Sequence, residues 1–180
     1  STAISEKHKD NSWHKTILYK YCNYEKIILD APWNPGGVNG DSKLFVPTFR
    51  VDPLFLGFTK DIIDHDGNNV FRLYGKEFDD LDSFLVFAHN LITTNIRNGS
   101  VAIKNVLAYD RNINYKATTK DKACRVFNNK GYTAEDVAWF QDFLFYDICK
   151  LAASLDVPVQ CHTGLGCLDN TRAMNMLEII

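Results

Sequence analysis

Four polar residues lie on or at the end of apolar, strand-like runs and have the types to do chemistry together: Arg50, Lys104, Gln160 and His162. Val157, Val159 and Cys161 alternate with Pro158, Gln160 and His162, the period of two of a short buried strand. Alternation sets Gln160 and His162 on one face, with His162 at the C-terminal tip before a glycine-containing loop. A polar residue at the carboxyl end of a buried parallel strand is where α/β folds keep their chemistry. The same imidazole also suits a plain strand cap with one hydrogen bond, and spacing leaves both open. Arg50 carries a planar guanidinium able to clamp a carboxylate or phosphate, or to pair with Asp52 or another local acid. Lys104 shares a face with Ala102, Val106 and Ala108, where it either grips a substrate carboxylate or snorkels into a salt bridge. Gln160 is placed to orient substrate or water.

Other candidates carry less. Asp110 and Arg111 follow a strand-like run and are expected to pair with each other or with nearby loops. His14, His65 and His89 have no metal-like spacing and read as surface or core residues, and His8 falls in a polar N-terminal tail. Cys161 alternates away from His162, which speaks against a Cys–His nucleophile pair. Gly164 and Gly166 begin a dinucleotide-type loop, but Asp169 stands where its third glycine belongs.

The elements that must position these residues follow from pattern. Apolar runs predict strands at Lys26–Ala31, Phe45–Val51, Ser100–Ala108 and Val157–Cys161. Ser12 is expected to cap a helix through about Asn23. Pro32 to Lys43, with two prolines and three glycines, is a loop. Leu81, Leu85, Ala88, Leu91 or Ile92, and Ile96 recur at helical spacing behind Asp80, predicting a helix near 81–97 that Asn98-Gly99 ends. Thr133 and Asp136 form a capping box ahead of the stripe Val137, Phe140, Leu144, Ile148, Leu151 and Leu155, a helix over 134–155. A turn is expected at Asp66-Gly67-Asn68, and a last helix from about Asn170. Long helices between buried strands require parallel pairing, so the fold class is α/β with a parallel sheet. The connection between the first two strands lacks a helix, a departure from a regular alternation or a substrate loop.

Three segments carry a family resemblance. The stretch from Val157 to Gly166, with its His162-Thr163-Gly164, resembles the fifth barrel strand of the amidohydrolase superfamily, in its amidohydrolase-related branch. Phe49-Arg50-Val51-Asp52-Pro53-Leu54 resembles the third strand, and Val101-Ala102-Ile103-Lys104 with Tyr109-Asp110-Arg111 the fourth. The resemblance implies a single domain that is a portion of a TIM (β/α)₈ barrel, roughly strands two to five, since a whole barrel takes about 250 residues and this chain has 180. It implies a metal-dependent hydrolase with His162 as a metal ligand, zinc being the expected divalent ion. It also implies that Lys104 is a catalytic or carbamylated metal-bridging lysine, and that Arg50 and Gln160 bind substrate. Decarboxylases and uronate isomerases belong to the same branch and are the alternative reactions. The superfamily's first-strand His-x-His is absent, since no two of the five histidines are two apart. Its sixth-strand His and eighth-strand Asp would follow Ile180. The chain therefore reads as part of a longer protein, or as a short form that acts by binding or assembly.

Composition limits the rest. A net charge of −2 offers no field for nucleic acid or a membrane surface. The 46% hydrophobic content is that of an ordinary globular core. Five cysteines with no Cys-x-x-Cys suit buried thiols in a reducing cytoplasm. The expected partners are a small-molecule substrate and, because a half-barrel leaves open edges, a second copy or a barrel-completing partner.

Overall fold

Phe45 to Arg50 is one extended run that changes partner halfway along. The computed structural model describes residues 2–7, 9–10, 12–128 and 131–163. The run forms β2 (Phe45–Pro47) and β3 (Phe49–Arg50), with Thr48 between them. Leu29 O accepts hydrogen bonds from the Thr48 amide (2.9 Å) and hydroxyl (3.3 Å), which ties the run to β1 (Ile27–Leu29). On the other side the Val101 amide donates to Pro47 O at 2.9 Å and leads into β4 (Ile103–Asn105), which pairs in turn with β5 (Val159–Cys161). Every pairing is parallel, and the spatial order is the chain order. The fold is thus mixed α/β with parallel sheets. The register aligns Arg50 with Lys104 and Lys104 with Gln160, a polar row across three strands.

The observed strands are shorter than their apolar runs, and β4 shows why. Val106 N donates to Asp52 Oδ1 at 2.6 Å and Leu107 N to Asn105 Oδ1 at 3.0 Å. These side-chain acceptors replace ladder partners, so the expected strand through Ala108 turns instead into a 3₁₀ turn at Leu107–Tyr109. A second 3₁₀ turn, Asp52–Leu56, follows β3 with all five residues buried.

Helices cover the sheet as their patterns predict. After the short α1 (Thr2–Lys7), α2 (Trp13–Lys15) and a π-helical turn at Thr16–Tyr21, α3 (Val70–Tyr74) is capped by Asn69 and stopped by Gly75 at φ 62°. Helix α4 (Leu81–Arg97) starts where the Asp80 carboxylate accepts from Ser83 N. The small α5 (Lys120–Ala123) and α6 (Arg125–Asn128) precede α7 (Ala134–Ser154), which opens on the expected Thr133–Asp136 capping box. Leu81, Phe84, Ala88 and Ile92 of α4 and Phe140, Leu144, Ile148 and Ala152 of α7 are buried in one core with Phe49 and Ile103 of the sheet.

The helix expected from Ser12 to Asn23 is observed as a helical segment over residues 13–21, but it is wound as a π-helix from Thr16 and Ser12 does not cap it. Ser12 has helical backbone angles and caps nothing; its amide and hydroxyl both donate to Asp10 Oδ1. The segment buries no side chain, so no apolar face holds it in α-helical register. The helix-free connection after β1 is observed as read, and Gly67 makes the expected turn at φ 80°. The helix expected from Asn170 and the Gly164–Gly166 loop lie outside the described residues.

Candidate functional site

The carboxyl ends of four parallel strands meet at a polar cavity of about 290 Å³ lined by Asp30, Arg50, His65, Asp66, Lys104, Val106, Tyr109 and His162. Asp30 follows β1, Arg50 ends β3, Lys104 sits within β4 and His162 follows β5. Position in the sheet therefore brings together three of the four residues singled out from sequence. Gln160 shares their register row but is exposed and does not line the cavity.

Arg50 is the hub. Its residue is 6% exposed. Nε donates to Asp52 Oδ2 at 2.8 Å, Nη2 lies 2.9 Å from Asp66 Oδ2, and Nη1 lies 3.7 Å from Asp30 Oδ2. Of the two readings that sequence left open, the geometry has the guanidinium paired with local acids, Asp52 first. Asp52 is fully buried, and burial pushes its carboxyl up to about 6, against the pull of the Arg50 guanidinium and the Val106 amide. Arg50 keeps its proton more firmly than usual. Its own burial, the largest single influence, works against this, but the Asp52, Asp30 and Asp66 carboxylates together outweigh it.

Arg50 also sets the state of a histidine. Its Nη2 lies 2.9 Å from His65 Nε2. A guanidinium only donates, so Nε2 accepts and the ring proton is on Nδ1, which donates to Asp110 Oδ2 at 2.8 Å. The His65 backbone amide donates to the same carboxylate. Tyr109 is stacked between His65 and His162, with ring centroids 4.8 Å away on each side. His162 is anchored through its amide to Asn105 O at 2.9 Å.

His65 was set aside on spacing, and the structure places it beside Arg50. Only its position between Asp64 and Asp66 in a turn hinted at this, since what aligns it is a contact with Asp110, 45 residues away. Asp30 was more legible: it stands at the end of the Ile27–Leu29 strand. Its Oδ1 is buried with no hydrogen-bond partner among the described residues. Asp110 and Arg111 do not pair with each other. Asp110 holds His65, while Arg111 donates to Gln141 (3.1 Å) and Asp142 (2.7 Å) on α7. Cys161 does not line the cavity, and burial pushes its thiol up to about 11.

Among the described residues no three His, Cys, Asp or Glu side chains gather into a cluster able to hold a metal, and no helix is long and apolar enough to cross a membrane.

Comparison with known proteins extends the fold. A crystal structure from Lactobacillus casei ATCC 334, described as that of a candidate metal-dependent hydrolase, superposes with a TM-score of 0.64 at 13% identity, over 93% of this chain and 44% of its own. Uronate isomerase from Thermotoga maritima superposes with a TM-score of 0.52 at 15% identity, over 78% of this chain and 33% of its own. The likeness is one of fold, and the chain spans less than half of either structure. No protein-family model and no curated protein matches the sequence.

Proposed function

We propose that the chain is a single-domain portion of a TIM barrel of the amidohydrolase superfamily, and that the polar cavity belongs to the active site of a metal-dependent hydrolase. The observation that carries this reading is the gathering of Lys104, His162, His65 and the Asp30 and Asp66 carboxylates at the carboxyl ends of parallel strands that stand in chain order. The fold likeness to the candidate metal-dependent hydrolase supports it.

Charge supports it as well. Two cations and two carboxylates line the cavity, so the wall itself is balanced. Asp52 and Asp110 stand directly behind it and tilt the field negative. The orphaned Asp30 Oδ1 adds an acceptor in need of a partner. Such a surface suits a cation. The described residues fall short of a zinc sphere, however, and a divalent metal needs ligands beyond them. In this reading His162 is one ligand, held in orientation by its stack on Tyr109. Lys104 holds an anionic group of the substrate. Arg50 orders Asp52, Asp66 and His65, and meets substrate only through the face it leaves to the cavity. Gln160, exposed at the sheet edge, contacts a substrate part that extends past the strand.

Isomerisation of a uronate is the second reading, favoured by the fold likeness to uronate isomerase. Ile28 on β1 is 58% exposed, and we infer that the outer edges of β1 and β5 are covered by further barrel strands or by a second copy.

The test is metal content and turnover of the full-length polypeptide on ester, amide and uronate substrates, with its His162→Ala variant alongside. The variant is expected to lose bound metal and turnover while keeping its melting temperature. Full turnover in the variant would remove His162 from the site, and absence of metal from the intact protein would defeat the metal-dependent reading.

A further inference from the structure

A second and larger cavity, of about 670 Å³, is lined by Asp64 and Asp110, chain neighbours of His65 and Tyr109 in the polar cavity, and shares no lining residue with it. Its size lies in the range of small-molecule sites, roughly 300–1,000 Å³. Leu56, Phe58, Leu107, Tyr132 and Val137 give it an apolar lining, and Ile63 at its margin is 42% exposed.

Several polar groups on this cavity are engaged within the protein. Arg111 donates to Asn112 O, Gln141 and Asp142. The Gln141 amide donates on to Phe55 O at 3.2 Å. Asp110 is taken by His65. Asp64 differs. It is 6% exposed and lines the cavity. Its Oδ1 accepts from the amides of Asp66 (3.0 Å) and Asn68 (2.8 Å), which shapes the turn. Its Oδ2 receives no hydrogen bond and Asp64 forms no ion pair among the described residues. The cavity thus combines an apolar wall with a carboxylate whose Oδ2 takes no hydrogen bond from the described residues, a combination that suits a cationic donor on an apolar body.

We propose that this cavity binds a small amine carrying an aromatic or branched aliphatic body, its ammonium donating to Asp64. The ligand sits apart from the polar cavity, so the proposal does not depend on the hydrolase reading.

Benzylamine is the probe, titrated into the chain and followed by calorimetry and by amide chemical shifts of residues 56–64 and 132–141. Asp64→Asn keeps the Oδ1 acceptor that shapes the turn and replaces Oδ2 with a donor. It is expected to weaken benzylamine by about 10- to 100-fold, the scale of one charged hydrogen bond, with the melting temperature held. Ala138→Phe, on α7 at the cavity wall, is expected to abolish binding by filling the space, and His162→Ala to leave it unchanged. Benzyl alcohol and phenylacetate are expected to bind at least tenfold more weakly than benzylamine. No benzylamine binding at millimolar concentration, equal affinity for benzyl alcohol or phenylacetate, or unchanged affinity in both Asp64→Asn and Ala138→Phe would each overturn the proposal.

Discussion

The helical layer and the strand ends of this molecule are held together by opposite means. Around Phe84 of α4 the contacts are aromatic. Phe84 lies 5.4 Å from Phe78, 5.5 Å from Phe140 and 5.9 Å from Phe127, ring centroid to centroid. Gly57 is pressed beneath the same ring, where a Cβ would come within 2.1 Å of it. At the strand ends the contacts are ionic, with Arg50 within 4 Å of three carboxylates. Burying apolar rings is favourable in proportion to area. Burying charges carries a desolvation penalty that pairing offsets only in part, and the raised Asp52 carboxyl records it. The first region stabilises the fold, while the second holds reactive groups in a costly arrangement, the pattern expected of a functional site.

That contrast can be broken by substitution. Phe84→Ala is expected to have the largest effect, a loss of about 4 kcal/mol in urea unfolding, because a fully buried ring leaves a cavity among rings. A loss below about 1 kcal/mol would mean that the aromatic layer is not the stabilising one. Arg50→Met comes next, at about 3 kcal/mol near neutral pH, since it strands Asp52 without its partner. Its pH dependence sharpens the comparison. With its folded value raised from 3.8 to about 6, Asp52 contributes most at pH values below 3.8, and that contribution is lost as pH rises through about 6. The Arg50→Met penalty should therefore shrink between pH 7 and pH 5, where Phe84→Ala should show no such trend. A penalty that grows on acidification would refute the assignment.

Thr133→Ala removes the hydroxyl that accepts from Asp136 N in the α7 capping box and is expected to lower stability by about 1 kcal/mol, read as a downward shift in melting temperature. His162→Ala should have the smallest effect on stability, under about 0.5 kcal/mol, because a half-buried residue past the end of β5 adds little core packing. A large loss there would make His162 a structural residue.

Much of the frame was legible in advance. Asp80 and Thr133 start their helices as their side chains dictate, since capping needs only residues three apart. The α/β class and the parallel pairing follow from helices interposed between apolar runs. Ser12 misled because a serine has competing local acceptors, and Asp10 wins it. The length of β4 was unreadable for a related reason: Asp52 Oδ1, 54 residues from Val106, captures the amide that would have continued the strand.

What the sequence alone determined, then, is what short-range chemistry controls: the caps, the helical stripes, the alternation that sets His162 at a strand tip, and the parallel order. The tertiary structure alone decided which charged groups meet. Arg50 could have clamped a ligand or an acid, and it is the approach of Asp30, Asp52 and Asp66 through the sheet and its loops that settles the matter. His65 enters the cavity only because the 64–66 turn lies against the end of β4, where Asp110 and Tyr109 hold it. Partners far apart in the chain leave no periodic trace in sequence, since their distance is set by strand register and loop closure rather than by spacing along the backbone.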